Sequence, residues 1–537
     1  MKTGNLYTSS VQATFMAAVA LPTRRFKQAL SRPAQAQANL LKHLVGANRA
    51  CQYGQAYDFS RIRSVSDFQR LVPITDYETL SPWIQRIADG ESRVLTAEDV
   101  FAMERSGGTD TPNKLVPYTP GLLGDFSRAF GPWLGDLLRS HPRLHGTRAY
   151  MRVAPMVRDA RTTASGLRIG LDDTTQFFGK IAAWALKRFS VPEPETSELE
   201  VHDLRKNVLR NILAAEDLGL ISVWSPTLLT VLMGHLEENL YDVLTELPEP
   251  RALEIARAVD KAGGVVGQAI WPRLQVISCW TEGPAAQFVD GLRRFFPETQ
   301  ILSKGVARTE GVVSFTMGSH EHSTLALRSH FLEFIDVHTP TKTPLLAHEL
   351  KRGGLYQPLI STSGGLYRYK LEDRVECMGH NGATPLIRSA GKGPGVSDLA
   401  GEQLNARRVE AGLREVERLL GLSPRFAMLA PVGPHPPKYC LYLETTADDT
   451  LVGKAAQELD SYLRSGHHYN NCRELGQLGP ICVQRIEDGW NRYRDALMAR
   501  GVAANDVVPR ALDPRLDWSD VFSCEPSPGI GFPSRLG

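Results

Sequence analysis

A loop rich in glycine and small hydroxyl residues most constrains what this chain can fold into and bind. It follows an apolar segment, 93–103, that we predict to be a β-strand, and it precedes a second apolar run that contains a proline, 115–118. Glycine lets a backbone approach a bound group closely, and successive N–H groups can form an anion-binding nest. The lysine at its end adds a positive charge, so we expect the loop to hold nucleotide phosphates. The predicted contacts are Ser106, Gly107, Gly108, Thr109 and Lys114.

Two standard phosphate-binding patterns do not match this loop. A Walker A motif requires glycine immediately before the lysine, whereas Asn113 precedes Lys114 and Leu115 follows it. The loop also lacks the third glycine that the dinucleotide-binding fingerprint requires. What remains is S-G-G-T-x-x-x-x-K, a pattern that an ordinary surface turn would also satisfy. Taken alone, the loop leaves both interpretations open.

Composition narrows the class of protein. The chain has 537 residues, which predicts two or more domains, and its 42% apolar and 22% charged residues are typical of a soluble globular protein. A net charge of +2 gives no indication of a nucleic-acid or acidic-membrane partner. The seven scattered cysteines indicate a reducing compartment, and no apolar run is long enough to cross a bilayer. We therefore expect a cytoplasmic protein that binds neither nucleic acid nor membrane.

The order of predicted elements indicates an α/β fold with several parts. Helices alternate with strands up to about residue 310. We predict one helix with Pro33 in its first turn, one that Thr75 or Asp76 caps, and one over 202–220. Closely spaced strands in 323–380 indicate an antiparallel sheet or a small β-barrel-like subdomain. Clustered glycines mark a linker, which is followed by a smaller α+β domain. The predicted divisions are an N-terminal domain at 1–390, a hinge at 391–404, a C-terminal domain at 405–512 and a loose tail at 513–537.

Two further segments carry candidate chemistry. Glu310 follows a predicted strand among small residues, and a carboxylate there could bind Mg²⁺ between phosphates, although a surface glutamate would look the same. Further along, Asp373 could accept the hydroxyl groups of a ribose while an aromatic residue such as Tyr367 flanks an adenine. The same run of alternating basic residues would also fit the solvated face of a strand.

The three segments together resemble the three nucleotide motifs of one family. A glycine-rich loop ending in Lys114, a strand-end Glu310 and a Y-R-x-x-x-x-D run ending in Asp373 occur in this order at large separations. They are similar to those of the Gretchen Hagen family, the auxin-responsive acyl-acid amido synthetases of the adenylate-forming superfamily. The similarity extends over nearly the whole chain, and the chain looks like a bacterial member.

The resemblance implies a glycine-rich hinge before a small, mobile C-terminal domain. It also implies a ligase that works in two steps. A small carboxylic acid would attack the α-phosphate of ATP to give an acyl-adenylate, and an amine, typically an amino acid, would then attack the carbonyl. ATP and Mg²⁺ are the implied cofactors, and we expect a monomer. The resemblance gives Lys114 and Glu310 catalytic roles, with Glu310 also holding the metal. The implied nucleotide-binding residues are Ser106, Gly107, Gly108, Thr109, Ala307, Arg308, Thr309, Tyr367, Arg368 and Asp373.

Departures from the family pattern keep two alternatives open. Glu372 replaces the glycine before the ribose aspartate, and Asp110 adds a carboxylate to the phosphate loop. Relatives carry a lysine near the C-terminus that is absent from 505–510, where Arg510 is an imperfect substitute. One alternative is an adenylating enzyme that transfers the acyl group to a thiol, as acyl-CoA ligases do. The other is a protein that binds ATP or the acid without catalysis.

A group of aromatic residues near the middle of the chain also has two interpretations. These residues could line a pocket for the acyl group, or they could simply belong to the core. They are Phe177, Phe178, Trp184 and Phe189.

Overall fold

The computed structural model describes most of the chain. The described residues are 5–106, 114–152, 162–171, 174–192, 201–318, 320–339, 343–393, 395–433, 436–500 and 510–523. They form two compact units, one holding the described residues up to Gly393 and the other holding those from Gly395 onward. None of the described helices is both long and apolar enough to cross a membrane.

The N-terminal unit combines α-helices with three sheets. Its helices are α1 (Leu6–Ala29), α2 (Pro33–Asn48), α3 (Gln52–Ala56), α4 (Val65–Leu71), α5 (Tyr77–Ala88), α6 (Pro120–Ser140), α7 (Lys180–Phe189), α8 (Val201–Leu213), α9 (Pro226–Glu238), α10 (Leu240–Leu244), α11 (Glu249–Ala262), α12 (Gly267–Ile270) and α13 (Val289–Phe295). Its strands are β1 (Ala102–Ser106), β2 (Lys114–Tyr118), β3 (Arg148–Met151), β4 (Arg168–Ile169), β5 (Leu218–Ser222), β6 (Val276–Cys279), β7 (Gln300–Ser303), β8 (Ser314–Phe315), β9 (Ser323–Leu325), β10 (Phe331–Asp336), β11 (Leu345–Leu346), β12 (Leu355–Ser361), β13 (Tyr369–Lys370), β14 (Asp373–Asn381) and β15 (Thr384–Lys392).

A parallel four-stranded sheet has the order β3-β5-β6-β7. Helices connect its successive strands, and β5 and β6 are buried along their whole length, as expected of a sheet covered on both faces. Parallel pairing brings the carboxyl ends of the strands to one edge, where Met151, Ser222, Cys279 and Ser303 lie. Open α/β sheets bind ligands at this edge.

The closely spaced strands form an antiparallel sheet, as predicted for this part of the chain. Its order is β11-β10-β12-β14-β15-β9-β8, with β13 pairing with β12 as a branch. A third, small sheet has the order β2-β1-β4. The predicted α/β fold class is confirmed, with the antiparallel sheet as a distinct part of the N-terminal unit.

Local signals placed several helix starts correctly. Asp76 caps α5, because its carboxylate accepts a hydrogen bond from the N–H of Thr79 at 2.9 Å. Pro33 occupies the first turn of α2, where its missing N–H costs nothing. These elements were predicted because the signal is contained within a few neighbouring residues.

Two predicted elements were wrong in extent. The segment 93–103 was predicted as a strand, but β1 begins only at Ala102, since the carbonyls of Arg93 and Val94 accept hydrogen bonds from the start of α3 instead of a neighbouring strand. The helix predicted for 202–220 ends at Leu213, and β5 begins at Leu218. The apolar periodicity of both segments reflects burial in the core, which does not require the regular element that we predicted.

A buried ion pair connects the N-terminal helices to the antiparallel sheet. The guanidinium of Arg368 donates to both carboxylate oxygens of Glu333 on β10, at 2.9 Å each. It also donates to the carbonyls of Gln69 and Val72, at 2.8 and 2.7 Å, at the end of α4. Both side chains are almost fully buried. The pair is therefore satisfied on every side, which a buried charge requires.

The C-terminal unit is a compact α+β arrangement. Its elements are β16 (Val396–Ser397), β17 (Leu404–Asn405), α14 (Ala406–Leu420), β18 (Phe426–Val432), β19 (Lys438–Glu444), α15 (Asp449–Arg464), α16 (His467–Glu474), β20 (Cys482–Arg485), α17 (Gly489–Ala499) and α18 (Trp518–Ser523). Strands β18 and β19 pair antiparallel, and β19 pairs in parallel with β20.

The first part of the predicted loose tail is ordered structure. Residues 511–513 lie beside β18, where the N–H of Leu429 donates to Ala511 and the N–H of Asp513 donates to Leu429. Helix α18 then packs Trp518 and Phe522 into the same core as Tyr493. The prediction of a loose tail from residue 513 was therefore wrong up to Ser523. Nearby prolines and polar residues give this segment the composition of a loose tail, although Trp518 and Phe522 are buried.

We expect that Arg368→Met will lower the free energy of unfolding of the N-terminal unit by about 3–5 kcal/mol, because Glu333 would be left buried without a counter-charge. Equilibrium urea unfolding, followed by tryptophan fluorescence, measures this loss. The double variant Arg368→Met with Glu333→Met should recover much of it, since no uncompensated charge then remains.

Arg388→Met is the matched control, because Arg388 pairs with Glu376 on the same sheet with nearly half of its side chain exposed. Its removal should change the free energy of unfolding by no more than about 1 kcal/mol. Equal effects of the buried and the exposed substitution would contradict the role given to Arg368.

Candidate functional site

The strands that flank the glycine-rich loop hold its two ends side by side. Strands β1 and β2 pair antiparallel, and Ser106 lies directly opposite Lys114 in the register. Gly107, Gly108 and Thr109 lie outside the described residues, as does Asp110. Their contacts with phosphate stay predictions, but the strand pairing already fixes where the loop begins and ends.

Lys114 begins β2 in a confined position. Its side chain is 7% exposed, and its ammonium lies 3.8 Å from a carboxylate oxygen of Glu372 and 5.3 Å from the ring centre of Tyr77. The hydroxyl of Tyr77 accepts a hydrogen bond from the N–H of Leu115 at 2.9 Å, which ties α5 to β2. The charge of Lys114 is thus held beside the acidic residue that replaces the family glycine.

Glu310 belongs to a tight turn over residues 307–312. Ala307 and Val312 form an isolated β-bridge, and Arg308 and Gly311 exchange backbone hydrogen bonds at 2.9 and 3.2 Å. The side chain of Thr309 donates to the Glu310 carboxylate at 2.9 Å. The turn therefore presents Glu310 from a short, closed segment rather than from a long loop.

Tyr118 joins the turn to β2. Its hydroxyl donates to the carbonyl oxygen of Thr309 at 2.7 Å. Burial raises the pKa of Tyr118 well above its ordinary value, and the nearby carboxylates of Glu104 and Glu310 raise it further. The phenol consequently remains protonated and keeps donating, which holds strand and turn together.

Tyr369 lies among the acidic groups of the site. Burial raises its pKa well above the usual value, and the charges of Glu310 and Glu372 add to the effect. The sequence analysis named Tyr367, and not Tyr369, as the aromatic residue beside the nucleotide. A usable signal was its position on the strand-like run that leads to Asp373, two residues nearer than Tyr367.

Arg308 and Asp373 form an ion pair that joins the turn to the start of β14. The Nε of Arg308 donates to the two carboxylate oxygens of Asp373 at 3.1 and 3.2 Å. The guanidinium also lies 5.4 Å from the ring centre of Trp280, just beyond β6. Asp373 is only 3% exposed. This carboxylate is held in place before any ligand binds, with lone pairs left to accept further donors.

Tyr367 and Arg368 are placed in the core instead of at the site. The ring of Tyr367 has no exposed surface, stacks on Tyr53 and donates its hydroxyl proton to the carbonyl of Leu95 at 2.8 Å. The guanidinium of Arg368 is already engaged in its ion pair with Glu333. The structure thus brings together Lys114, Ala307, Arg308, Thr309, Glu310 and Asp373 in the same unit, while these two residues support the fold.

The donor groups at the site limit how a metal ion could bind. Among the described residues, no group of three or more histidine, cysteine, aspartate or glutamate side chains could hold a metal ion. Mg²⁺ held by Glu310 together with substrate phosphates does fit, because this ion commonly takes one or two carboxylates plus phosphate oxygens.

The C-terminal stretch that lacks the family lysine is only partly described. Residues 505–509 lie outside the described residues. Arg510 is exposed and helps to line a groove of the C-terminal unit together with Trp490 and Phe426. Its positive charge acts on Tyr493, whose pKa is raised by burial and then partly lowered by Arg510. A substitute role for Arg510 stays a prediction.

Known proteins match the chain along most of its length. The model of the GH3 family N-terminal domain matches residues 22–247, that of the central domain 323–392 and that of the C-terminal domain 409–512. The 4-substituted benzoates–glutamate ligase GH3.12 of Arabidopsis thaliana is 21% identical in an alignment that covers 91% of this chain and 94% of that protein. A probable indole-3-acetic acid–amido synthetase, GH3.12 of Oryza sativa subsp. japonica, is 23% identical in an alignment that covers 68% of this chain and 70% of that protein.

A solved structure shares the fold. The acyl acid amido synthetase AtGH3.15, determined in complex with 2,4-DB, superimposes with a TM-score of 0.64 at 15% identity and covers 94% of this chain and 96% of that one. GH3 is the Gretchen Hagen family that the sequence motifs resemble. The predicted resemblance is confirmed, since the family models match three successive parts of the chain. The protein belongs to the GH3 family of acyl-acid amido synthetases.

Proposed function

We propose that this protein activates a small carboxylic acid as its acyl-adenylate with ATP and then joins it to an amine, most simply an amino acid. Family membership supports a ligase that forms a carbon–nitrogen bond. The observation that carries the assignment is the convergence of Lys114, Glu310 and the Arg308–Asp373 pair from three distant parts of the sequence.

The first step needs anions to be held together. The carboxylate of the acid attacks the α-phosphorus of ATP, the bond to the bridging oxygen breaks, and pyrophosphate leaves. Both reactants are negative, so the protein must offset charge repulsion and hold the two groups in line. Lys114 is suited to this, because its ammonium is confined at the end of the glycine-rich loop, opposite Ser106 in the strand register. No covalent nucleophile of the protein is required.

Carboxylates and an arginine divide the remaining nucleotide contacts. Asp373, which Arg308 fixes in place, would accept the hydroxyl protons of the ribose. Glu310 would hold Mg²⁺, and the metal when bound would reduce the negative charge on the phosphates. Tyr369, which is buried within the electrostatic influence of Glu310 and Glu372, would flank the base in place of Tyr367. The loop residues Ser106, Gly107, Gly108 and Thr109 would donate to phosphate oxygens.

The second step transfers the acyl group to nitrogen. The amine attacks the carbonyl carbon of the acyl-adenylate, AMP leaves with the electron pair of the broken bond, and the nitrogen loses a proton. The relatives whose names specify an acceptor use an amino acid, glutamate in the protein from Arabidopsis thaliana. We infer that an amino acid is the acceptor here as well.

Pyrophosphate release tests the assignment directly. With Mg·ATP and a pool of carboxylic acids, we expect acid-dependent release that an amino acid from a second pool stimulates, together with the matching amide. Stimulation by coenzyme A alone would favour the thiol alternative. ATP binding without pyrophosphate release for any acid would overturn the proposal in favour of a non-catalytic protein.

Lys114→Ala and Glu310→Ala should each lower the rate of pyrophosphate release by about 10²-fold or more, because each removes a group that stabilises charge on the phosphates. Stopped assays at saturating ATP would measure the rate. Lys351→Ala is the matched control, since Lys351 is an exposed lysine on a turn of the same unit. If both site variants kept full turnover, the site would be wrongly assigned.

Arg308→Met should raise the KM for ATP by roughly tenfold with a smaller effect on kcat, because Asp373 would lose the partner that positions it. Initial rates across a range of ATP concentrations separate the two parameters. A fall in kcat with KM unchanged would instead place Arg308 against the reacting phosphate.

A further inference from the structure

The turn that carries Glu310 lies against a buried histidine to which the proposed mechanism gives no role. His330 directly precedes β10, and its side chain has no exposed surface. Gly311 lies so close to the imidazole that a Cβ atom added to this glycine would be 2.7 Å from Nε2 and 2.9 Å from Cδ2. Atoms in an ordinary van der Waals contact are roughly 3.5–4.0 Å apart, so the turn rests directly on the ring.

His330 is held in place from several directions. Its Nδ1 lies 3.4 Å from a carboxylate oxygen of Asp125 on α6, and its ring meets that of Phe126 edge to face, with 5.9 Å between the ring centres. The carbonyl oxygen of His330 accepts a hydrogen bond from the side-chain amide of Gln37 at 2.9 Å. Asp125 is itself fixed, because its carboxylate accepts hydrogen bonds from the N–H and the hydroxyl group of Ser363 at 2.8 and 3.0 Å. The imidazole is therefore a rigid support for whatever packs on it.

The imidazole is kept at this position although its nitrogens stay unpaired. Within the part of the chain that the structure describes, neither Nδ1 nor Nε2 of His330 forms a hydrogen bond, and both atoms are buried. Buried polar atoms are normally paired, so a residue that leaves two of them unpaired contributes something else. Asp125 does not depend on the imidazole as a counter-charge, because Arg128 forms an ion pair with the same carboxylate. The contribution that the structure shows is the contact with Gly311.

Both chain neighbours of Glu310 are anchored. The carbonyl oxygen of Thr309, on one side, accepts the hydrogen bond from the hydroxyl group of Tyr118. The glycine on the other side rests on the ring of His330. The two anchors belong to one aromatic group, since Phe126 stacks on Tyr118 and also contacts the imidazole. The backbone that presents the Glu310 carboxylate is thus fixed on both sides.

We propose that His330 is a positioning residue for Glu310, which acts through Gly311 and keeps the carboxylate in one place for the Mg²⁺ that binds with ATP. This inference rests on the proposed function, in which Glu310 holds the metal. Without the support, the turn would have to be ordered when the metal binds, and that ordering would lower the affinity. Residues behind a metal ligand commonly change metal affinity in this way.

Metal-dependent nucleotide binding tests the inference without turnover. The probe is α,β-methylene-ATP, in which carbon replaces the oxygen whose bond to the α-phosphorus must break. Calorimetry on the full chain with Mg²⁺, and again with a chelator, gives two dissociation constants, and their ratio is the gain in affinity due to the metal. We expect His330→Ala to lower this gain by about tenfold or more, with little change in binding without metal.

Two further variants separate positioning from a general loss of packing. His330→Gln can place its amide nitrogen near the position of Nε2, so it should keep more of the gain than His330→Ala. The matched control is His338→Ala, since His338 is an exposed histidine of the same unit just beyond β10. This control should leave the gain unchanged.

Gly311→Ala approaches the same contact from the other side. Its methyl group would be forced against the imidazole, which should displace the turn and lower the metal-dependent gain. Removing the imidazole makes room for that methyl group. Gly311→Ala combined with His330→Ala should therefore recover part of the loss, whereas strictly additive losses would contradict the contact.

Each outcome decides the inference. An unchanged gain in a folded His330→Ala variant would overturn it, and so would an equal loss of binding with and without the metal. If this variant does not fold, Gly311→Ala decides, since an unchanged gain there overturns the inference. A wild-type protein without any gain overturns it as well, because Glu310 would then hold no metal. An intact gain without pyrophosphate release for any acid would count against the proposed function alone.

Discussion

The N-terminal unit depends on one buried charge interaction, the ion pair of Arg368 and Glu333. The guanidinium binds two carboxylate oxygens and two backbone carbonyls, so it joins the end of α4 to the antiparallel sheet in a way that packing alone would not specify. Tyr367 packs into the core beside it. Because this segment is fixed, β13 and the start of β14 are fixed as well, and these carry Tyr369 and Asp373 to the site.

The sequence predicted those parts of the fold whose signals are local. Asp76 and Pro33 indicated where two helices start, and the closely spaced strands after residue 323 indicated an antiparallel sheet. The prediction failed for 93–101, where buried apolar residues have the spacing of a strand without forming one. It also failed around Trp518, where packing against residues distant in the sequence orders a segment of polar composition. Such contacts join residues far apart in the chain, and no short window of sequence contains them.

The site shows the same division. Lys114, Glu310, Arg308 and Asp373 lie in motifs that resemble those of a family, and the structure brings them into one unit. Tyr367 was predicted to contact the nucleotide, but its ring packs in the core against Tyr53, which the order of residues in the motif does not reveal. A sequence motif identifies candidate ligand-binding residues, whereas three-dimensional packing decides which of them can contact a ligand.

The pairing of β1 with β2 has a consequence for how such proteins diverge. Since Ser106 lies opposite Lys114 in an antiparallel register, the position of the lysine is set by the two strands and not by the identity of the residues in the loop that joins them. The intervening stretch can exchange residues, as at Asp110, while the lysine keeps its place. Remote relatives would therefore be recognised better by the paired strands and the length of the connection than by the consensus of the glycine-rich loop itself.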